Sequence, residues 1–178
     1  MTQLSEWVHR LRDIPEAGLD ISRRASPEER ADVAKALGLL DCRELEARYT
    51  IRPLIEGRYL MHGAVSARVV QSCVVTLEPV ENHVKASVEA VFWPAEDIVP
   101  LDAAVVEVDD ELDPEPIIDD RIEAGRVVYE HLADALDPYP RKPGVTFDWK
   151  DEGKTGTETQ TETQGGPFAA LARLKNKT

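Results

Sequence analysis

Leu45-Glu46-Ala47-Arg48-Tyr49-Thr50-Ile51-Arg52 alternates strictly, with apolar side chains at the odd positions and polar or charged ones at the even. A period of two marks a strand with one buried and one wet face. Two later stretches repeat it. Tyr59, Met61, Val65, Ala67 and Val69 fall on one side, with His62, Ser66 and Arg68 on the other. Val84, Ala86, Val88, Ala90 and Phe92 oppose Lys85, Ser87 and Glu89. Glu56-Gly57, between the first two, suits a hairpin turn. Three long alternating strands with short connections predict an antiparallel sheet with one solvated face. Strands of this length coil strongly, which admits a partly closed barrel.

Helix signals flank the strands. Ser26-Pro27-Glu28-Glu29 offers a capping hydroxyl, a proline at the first helical position and a glutamate three residues after the cap. Val33, Ala34 and Leu37 then form a narrow apolar stripe, and Gly38 can close the helix in the left-handed conformation. Before it, residues 7–11 and 19–24 read as two short strands around the turn residues Pro15 and Gly18. Ile118, Ile122, Gly125, Val128, Leu132 and Ala135 recur every three or four residues, predicting a second helix over residues 119–136. Asp119 and Asp120 would sit at its positive N-terminal end. Pro138 ends it, and residues 138–144, rich in proline, should run extended. Val105, Val106 and Val108 would add a short strand. The expectation is an α+β fold: a coiled antiparallel sheet, two main helices and a disordered C-terminal linker. One domain covers residues 1–149. Residues 150–166 are Thr, Glu, Gln and Gly with almost no apolar side chain, too little to offset ordering entropy. Residues 167–178 form a short amphipathic end piece.

Charge bounds the function. The 178 residues carry 34 acids and 21 bases, a formal charge of −13, a field that repels free nucleic acid at range and attracts basic partners. Twelve of the carboxylates lie between Glu96 and Glu123, where Arg121 is the only base. The start lacks the apolar core of a secretory signal, no apolar run would span a bilayer, and Cys42 and Cys73 make no disulfide framework. A cytoplasmic protein without membrane contact is expected. No glycine-rich phosphate loop, HExxH or GxSxG occurs, and His9, His62, His83 and His131 stand isolated. Neither an enzyme nor a cofactor is expected. Cys73 and Cys42 read as buried small hydrophobes, since a lone thiolate does not make a zinc site. Asp109-Asp110-Glu111 lacks the spacing of a calcium loop and reads as a solvated charge run.

Two stretches carry a family resemblance. One is Val69-Val70-Gln71-Ser72-Cys73-Val74-Val75-Thr76-Leu77-Glu78-Pro79-Val80. The other joins Glu115-Pro116-Ile117-Ile118-Asp119 through the second helix to Ala135-Leu136-Asp137-Pro138-Tyr139-Pro140-Arg141-Lys142-Pro143-Gly144, and Pro167-Phe168-Ala169-Ala170-Leu171 adds to it. The order and spacing resemble the YceD family, the bacterial large ribosomal RNA subunit accumulation proteins, over nearly the whole chain apart from the linker. The resemblance implies a part in 23S rRNA accumulation and large-subunit assembly, and no established catalytic residues. Many relatives have Cys-x-x-Cys before the Leu-Glu-Pro; here Cys73 matches the first and Thr76 replaces the second.

The expected role is therefore a binding module for a basic large-subunit ribosomal protein or a pre-ribosomal particle. Its surface is expected on Asp109, Asp110, Glu111, Asp113, Glu115 and Asp119, and on Pro138, Tyr139, Pro140, Arg141 and Lys142. A second reading is direct rRNA contact through a local basic face, for instance at Arg141 and Lys142. A third, from another class, is a carboxylate-dependent metal enzyme acting on RNA through Asp109, Asp110 and Glu111.

Overall fold

A computed structural model describes residues 4–98 and 113–146. Asp109, Asp110, Glu111, the strand expected around Val106, the linker and the end piece lie outside the described residues. The elements follow in the order β1 (His9–Arg10), β2 (Leu19–Arg24), α1 (Pro27–Ala36), β3 (Asp41–Pro53), β4 (Tyr59–Ser72), β5 (Pro79–Pro94), β6 (Glu115–Ile117), β7 (Arg121–Ile122) and α2 (Ala124–Asp134).

The three alternating stretches are β3, β4 and β5, the long antiparallel centre of a sheet ordered β2-β3-β4-β5-β6. Among the described strands only β6 runs parallel, pairing Glu115, Pro116 and Ile117 with Phe92, Trp93 and Pro94. The turn at Glu56 and Gly57 forms as expected, with both residues left-handed at φ of 58° and 68°. Among the described residues the sheet does not close into a barrel, and β2 and β6 are its two edges. Helices α1 and α2 cover its inner face instead, packing against β3 and against β4 and β5. That face is fully buried at Leu45, Ile51, Met61, Val69, Val88 and Phe92, each contributing about 1.5–3 kcal/mol of transfer free energy.

Local chemistry explains the ends of α1. Ser26 Oγ accepts the Glu29 N–H at 3.2 Å, while Glu29 Oε2 accepts the Ser26 N–H at 2.8 Å. At the other end Gly38 takes φ 64°. The Leu39 N–H then reaches the Ala34 carbonyl at 2.9 Å and Gly38 N–H the Lys35 carbonyl at 3.4 Å, the paired bonds of a Schellman closure. Trp7 is completely buried, and its Nε1 donates to Glu29 Oε1 at 2.9 Å, which pins the N-terminal segment to this helix.

Two expectations need correction. The first short strand is only His9–Arg10, followed by a 3-10 turn at Leu11–Asp13, and it pairs with β7 in a separate two-stranded ribbon. The second helix begins at Ala124, not Asp119. Asp119 and Asp120 have φ of 52° and 56° and form a tight turn closed by the Ile118–Arg121 bridge. Aspartate tolerates the left-handed region, and two such residues in succession give the hairpin geometry. Ile118 and Ile122 thus stand on either side of a turn, one exposed and one buried, and share no helix face. Gly125 is required by packing: a Cβ there would lie 2.1 Å from the Leu4 carbonyl oxygen.

Candidate functional site

The first stretch that carries the family resemblance and residues 137–142 of the second meet in space. β4 ends at Ser72 and the chain turns through residues 73–78 into β5, with Leu77 left-handed at φ 61° and its N–H on the Cys73 carbonyl at 2.9 Å. Residues 137–142 lie across this turn as a strap. The Val74 N–H donates to the Pro140 carbonyl and Gln71 Nε2 to the Asp137 carbonyl, both at 2.9 Å. Lys142 Nζ reaches Glu78 Oε2 at 3.0 Å, and the ammonium holds the Glu78 carboxyl below its ordinary range. Pro140 is buried and works as an anchor within the chain, while Pro138, Tyr139, Arg141 and Lys142 face solvent. A groove of about 600 Å³ between α1, α2 and the strap is lined by Leu37, Gln71, Val74, Leu136 and Pro138. Leu77 and Tyr139 beside the turn are 76% and 71% exposed.

Cys73 is buried as expected, but its surroundings are not apolar. The Thr76 and Lys142 N–H groups each donate to its Sγ at 3.5 Å. Hydrogen bonds from the Thr76 side chain and these amides bring the thiol down to about 6. The sequence gives no warning of this, because the Lys142 amide arrives from a distant segment. Cys42 fits the small-hydrophobe reading better: it is buried, and burial pushes its thiol up.

The acidic residues sit elsewhere. Glu115 on β6 is bound by Arg126 of α2, which also reaches Glu123 at 3.8 Å and Glu130 at 3.0 Å. Glu115 is therefore an internal partner and not a free docking charge. Asp113 and Asp119 are exposed. These acids lie where β6 joins the far end of β5, and the strap lies at the beginning of β5. The expected partner surface is thus two surfaces, linked by α2. That helix buries Val127, Val128 and Leu132 and leaves Glu130 and Asp134 exposed, with exposed Glu123 just before its first turn, so its outward side is acidic.

A third arrangement was not read from the sequence. On the outer face of the sheet, one cross-strand row runs Arg24, Glu46, Ser66, Lys85, and the adjacent row runs Glu44, Arg68, His83. With Arg30 and Arg43 they line an open groove of about 510 Å³. The signal was present only in part: Arg68 and Lys85 occupy polar positions of alternating strands, but register alone shows that they lie together.

Among the described residues no three or more potential metal ligands converge, and no helix is long and apolar enough to cross a membrane. No curated protein and no solved structure matches the chain. The family model for the large ribosomal RNA subunit accumulation protein YceD matches residues 61–175. The match begins within β4 and runs through the linker, so it covers less of the N-terminal part, and more of the C-terminal part, than the motifs suggested. With more than half of its length matched, the chain belongs to the YceD family.

Proposed function

We propose that the chain serves large-subunit rRNA accumulation as a non-catalytic binding module. It holds a basic large-subunit ribosomal protein, free or on a pre-ribosomal particle, through its acidic surface. The observation that supports this reading is the charge of residues 113–137: eight carboxylates against Arg121 and Arg126, with the outward side of α2 acidic. Exposed charges of one sign steer an oppositely charged partner and select against like-charged ones. Exposed Tyr139, at the far end of the same helix, supplies the type of aromatic anchor on which interface affinity concentrates. In the sequence, Asp109, Asp110 and Glu111 add three more carboxylates just before this segment. The role needs no cofactor and places the chain in the cytoplasm.

The test is capture from lysate on the tagged full-length chain, with and without RNase. Large-subunit proteins should remain bound after RNase treatment. The triple variant Asp119→Lys/Asp120→Lys/Asp134→Lys should lose them at low salt, and its deficit against the wild type should narrow as salt rises. Disappearance of every large-subunit protein on RNase treatment would refute protein docking.

A further inference from the structure

We propose that the outer face of the sheet is a second binding site, which takes the phosphodiester backbone of base-paired RNA. It uses residues apart from the acidic docking surface. The choice of RNA as the phosphate source rests on the rRNA setting of the preceding section.

The groove concentrates positive charge in a chain whose net charge is −13. Five cationic side chains, Arg24, Arg30, Arg43, Arg68 and Lys85, line it against the carboxylates of Glu44 and Glu46. They come from five different elements, β2, α1, β3, β4 and β5, so the fold assembles the cluster. Arg30 is committed to structure, donating to the Cys42 and Arg43 carbonyls at the irregularity in β3. Lys85 has no carboxylate partner among the described residues. Arg24, Arg43 and Arg68 touch Glu46, Glu81 and Glu44 at 3.3, 2.7 and 3.3 Å. In each of these pairs both side chains are more than a third exposed. Exposed pairs of this kind contribute little to stability and give way readily to a phosphate.

The chemistry of the face also narrows the ligand. Its polar side chains are guanidinium, ammonium, carboxylate, hydroxyl and imidazole, and its apolar ones are only Ala25, Leu45 and Ala67, without Phe, Tyr or Trp in the lining. A single strand is held largely by stacking of its bases on such aromatic rings. Duplex RNA is recognised through phosphate and 2′-hydroxyl contacts, which this face can supply. Arg68 and Lys85 stand on adjacent central strands, β4 and β5, so the donors sit on a rigid support.

Fluorescence anisotropy on the full-length chain decides the matter, with a labelled RNA duplex of about 16 base pairs and an oligouridine of the same length. The duplex should bind more tightly than the oligouridine. Phosphate contacts from Arg24, Arg43, Arg68 and Lys85 predict that log K falls against log salt with a slope of about −3 to −4. In Arg68→Glu/Lys85→Glu, whose side chains point away from the core, affinity should fall at least about tenfold and the slope should shrink by about two. The control Arg12→Glu/Arg141→Glu makes the same charge change outside the groove and should retain wild-type affinity. The assignment is overturned by absence of duplex binding at about 50 mM salt, by stronger binding of oligouridine, or by equal losses in both double variants. RNase-resistant capture of large-subunit proteins should be unchanged in Arg68→Glu/Lys85→Glu, so failure of this site and failure of protein docking give different results.

Discussion

Gln71 joins the strap to the sheet, and replacing it with alanine should release the strap before it unfolds the protein. Its side chain is 9% exposed, the one polar residue among the buried ones described. Its Nε2 donates to the Asp137 carbonyl and its Oε1 accepts from Asn82 Nδ2, both at 2.9 Å. Each bond has a net worth of about 1 kcal/mol. Asp137 is exposed and Asn82 half-buried, so water can satisfy both groups afterwards and no larger burial penalty is added. Gln71→Ala should therefore cost about 2 kcal/mol. Only the bond to Asp137 breaks when the strap opens, since Asn82 stays beside Gln71 in the sheet, and its loss is about a fivefold rise in the open population. Hydrogen exchange reads it directly. The Val74 N–H, bonded to the Pro140 carbonyl, should exchange about fivefold faster in the variant if it exchanges through strap opening. Amides in the middle of β4 that exchange through global unfolding should speed up by the whole loss measured in urea, about 30-fold. Equal acceleration at Val74 and mid-β4 would show that the strap is not a separate unit, and an unchanged Val74 would show that Gln71 does not hold it.

Other sites give sharper tests of the fold. At Gly63 a Cβ would lie 2.2 Å from the Arg48 carbonyl oxygen and 2.5 Å from Tyr49 Cα. These are backbone atoms that cannot swing away, so Gly63→Ala should cost about 3 kcal/mol or more in urea unfolding; a near-wild-type midpoint would mean β3 and β4 separate there freely. Ser26→Ala should cost about 1 kcal/mol and Ser26→Asp much less; equal losses would show that the capping bonds carry no weight. The Cys73 thiol lies at about 6 in the fold against an ordinary 9.0. Between those values the unfolded chain holds the proton that the folded sulfur has released, so stability gained as pH rises is lost as pH falls through about 6. The urea midpoint should follow that course and flatten over this window in Cys73→Ser; an identical profile in the variant would refute it. Burial and Arg23 push the His9 ring below 6.5, so stability should decline further as pH falls below 6.5, a loss that persists in Cys73→Ser and disappears in His9→Gln.

The long strands and the first helix were legible because their signals are local. Alternation at residues 45–52 names its own buried face, and Ser26 and Glu29 make a cap whatever lies around them. The start of α2 was misread because Ile118 and Ile122 are four apart, a spacing that serves a helix face, while the positive φ of Asp119 and Asp120 is not visible in composition. The strap was partly legible: its prolines showed extended chain, and their order showed the family. Its docking on the Cys73 turn was not, since that contact joins residues 69 apart. The outer groove was the least legible. Arg24, Arg43, Arg68 and Lys85 belong to different strands, and a shift of register by one residue would scatter them.

Net charge speaks to approach and not to contact, and the reason is range. At physiological salt the screening length is about 8 Å, shorter than the separation between the groove at Lys85 and the acids beside Trp93, which is about 27 Å along a straight β5. The total of −13 therefore governs how a polyanion approaches from afar, and the local excess of cations governs what happens on contact. An approaching duplex would be turned away from α2 and β6 and admitted only with the outer sheet face leading. A basic protein would be steered to the opposite choice. The two proposed ligands then compete for neither side chains nor orientation, and one small domain could hold both at once. Binding of one should leave the affinity for the other unchanged, unless protein and RNA touch each other across the edge of the sheet.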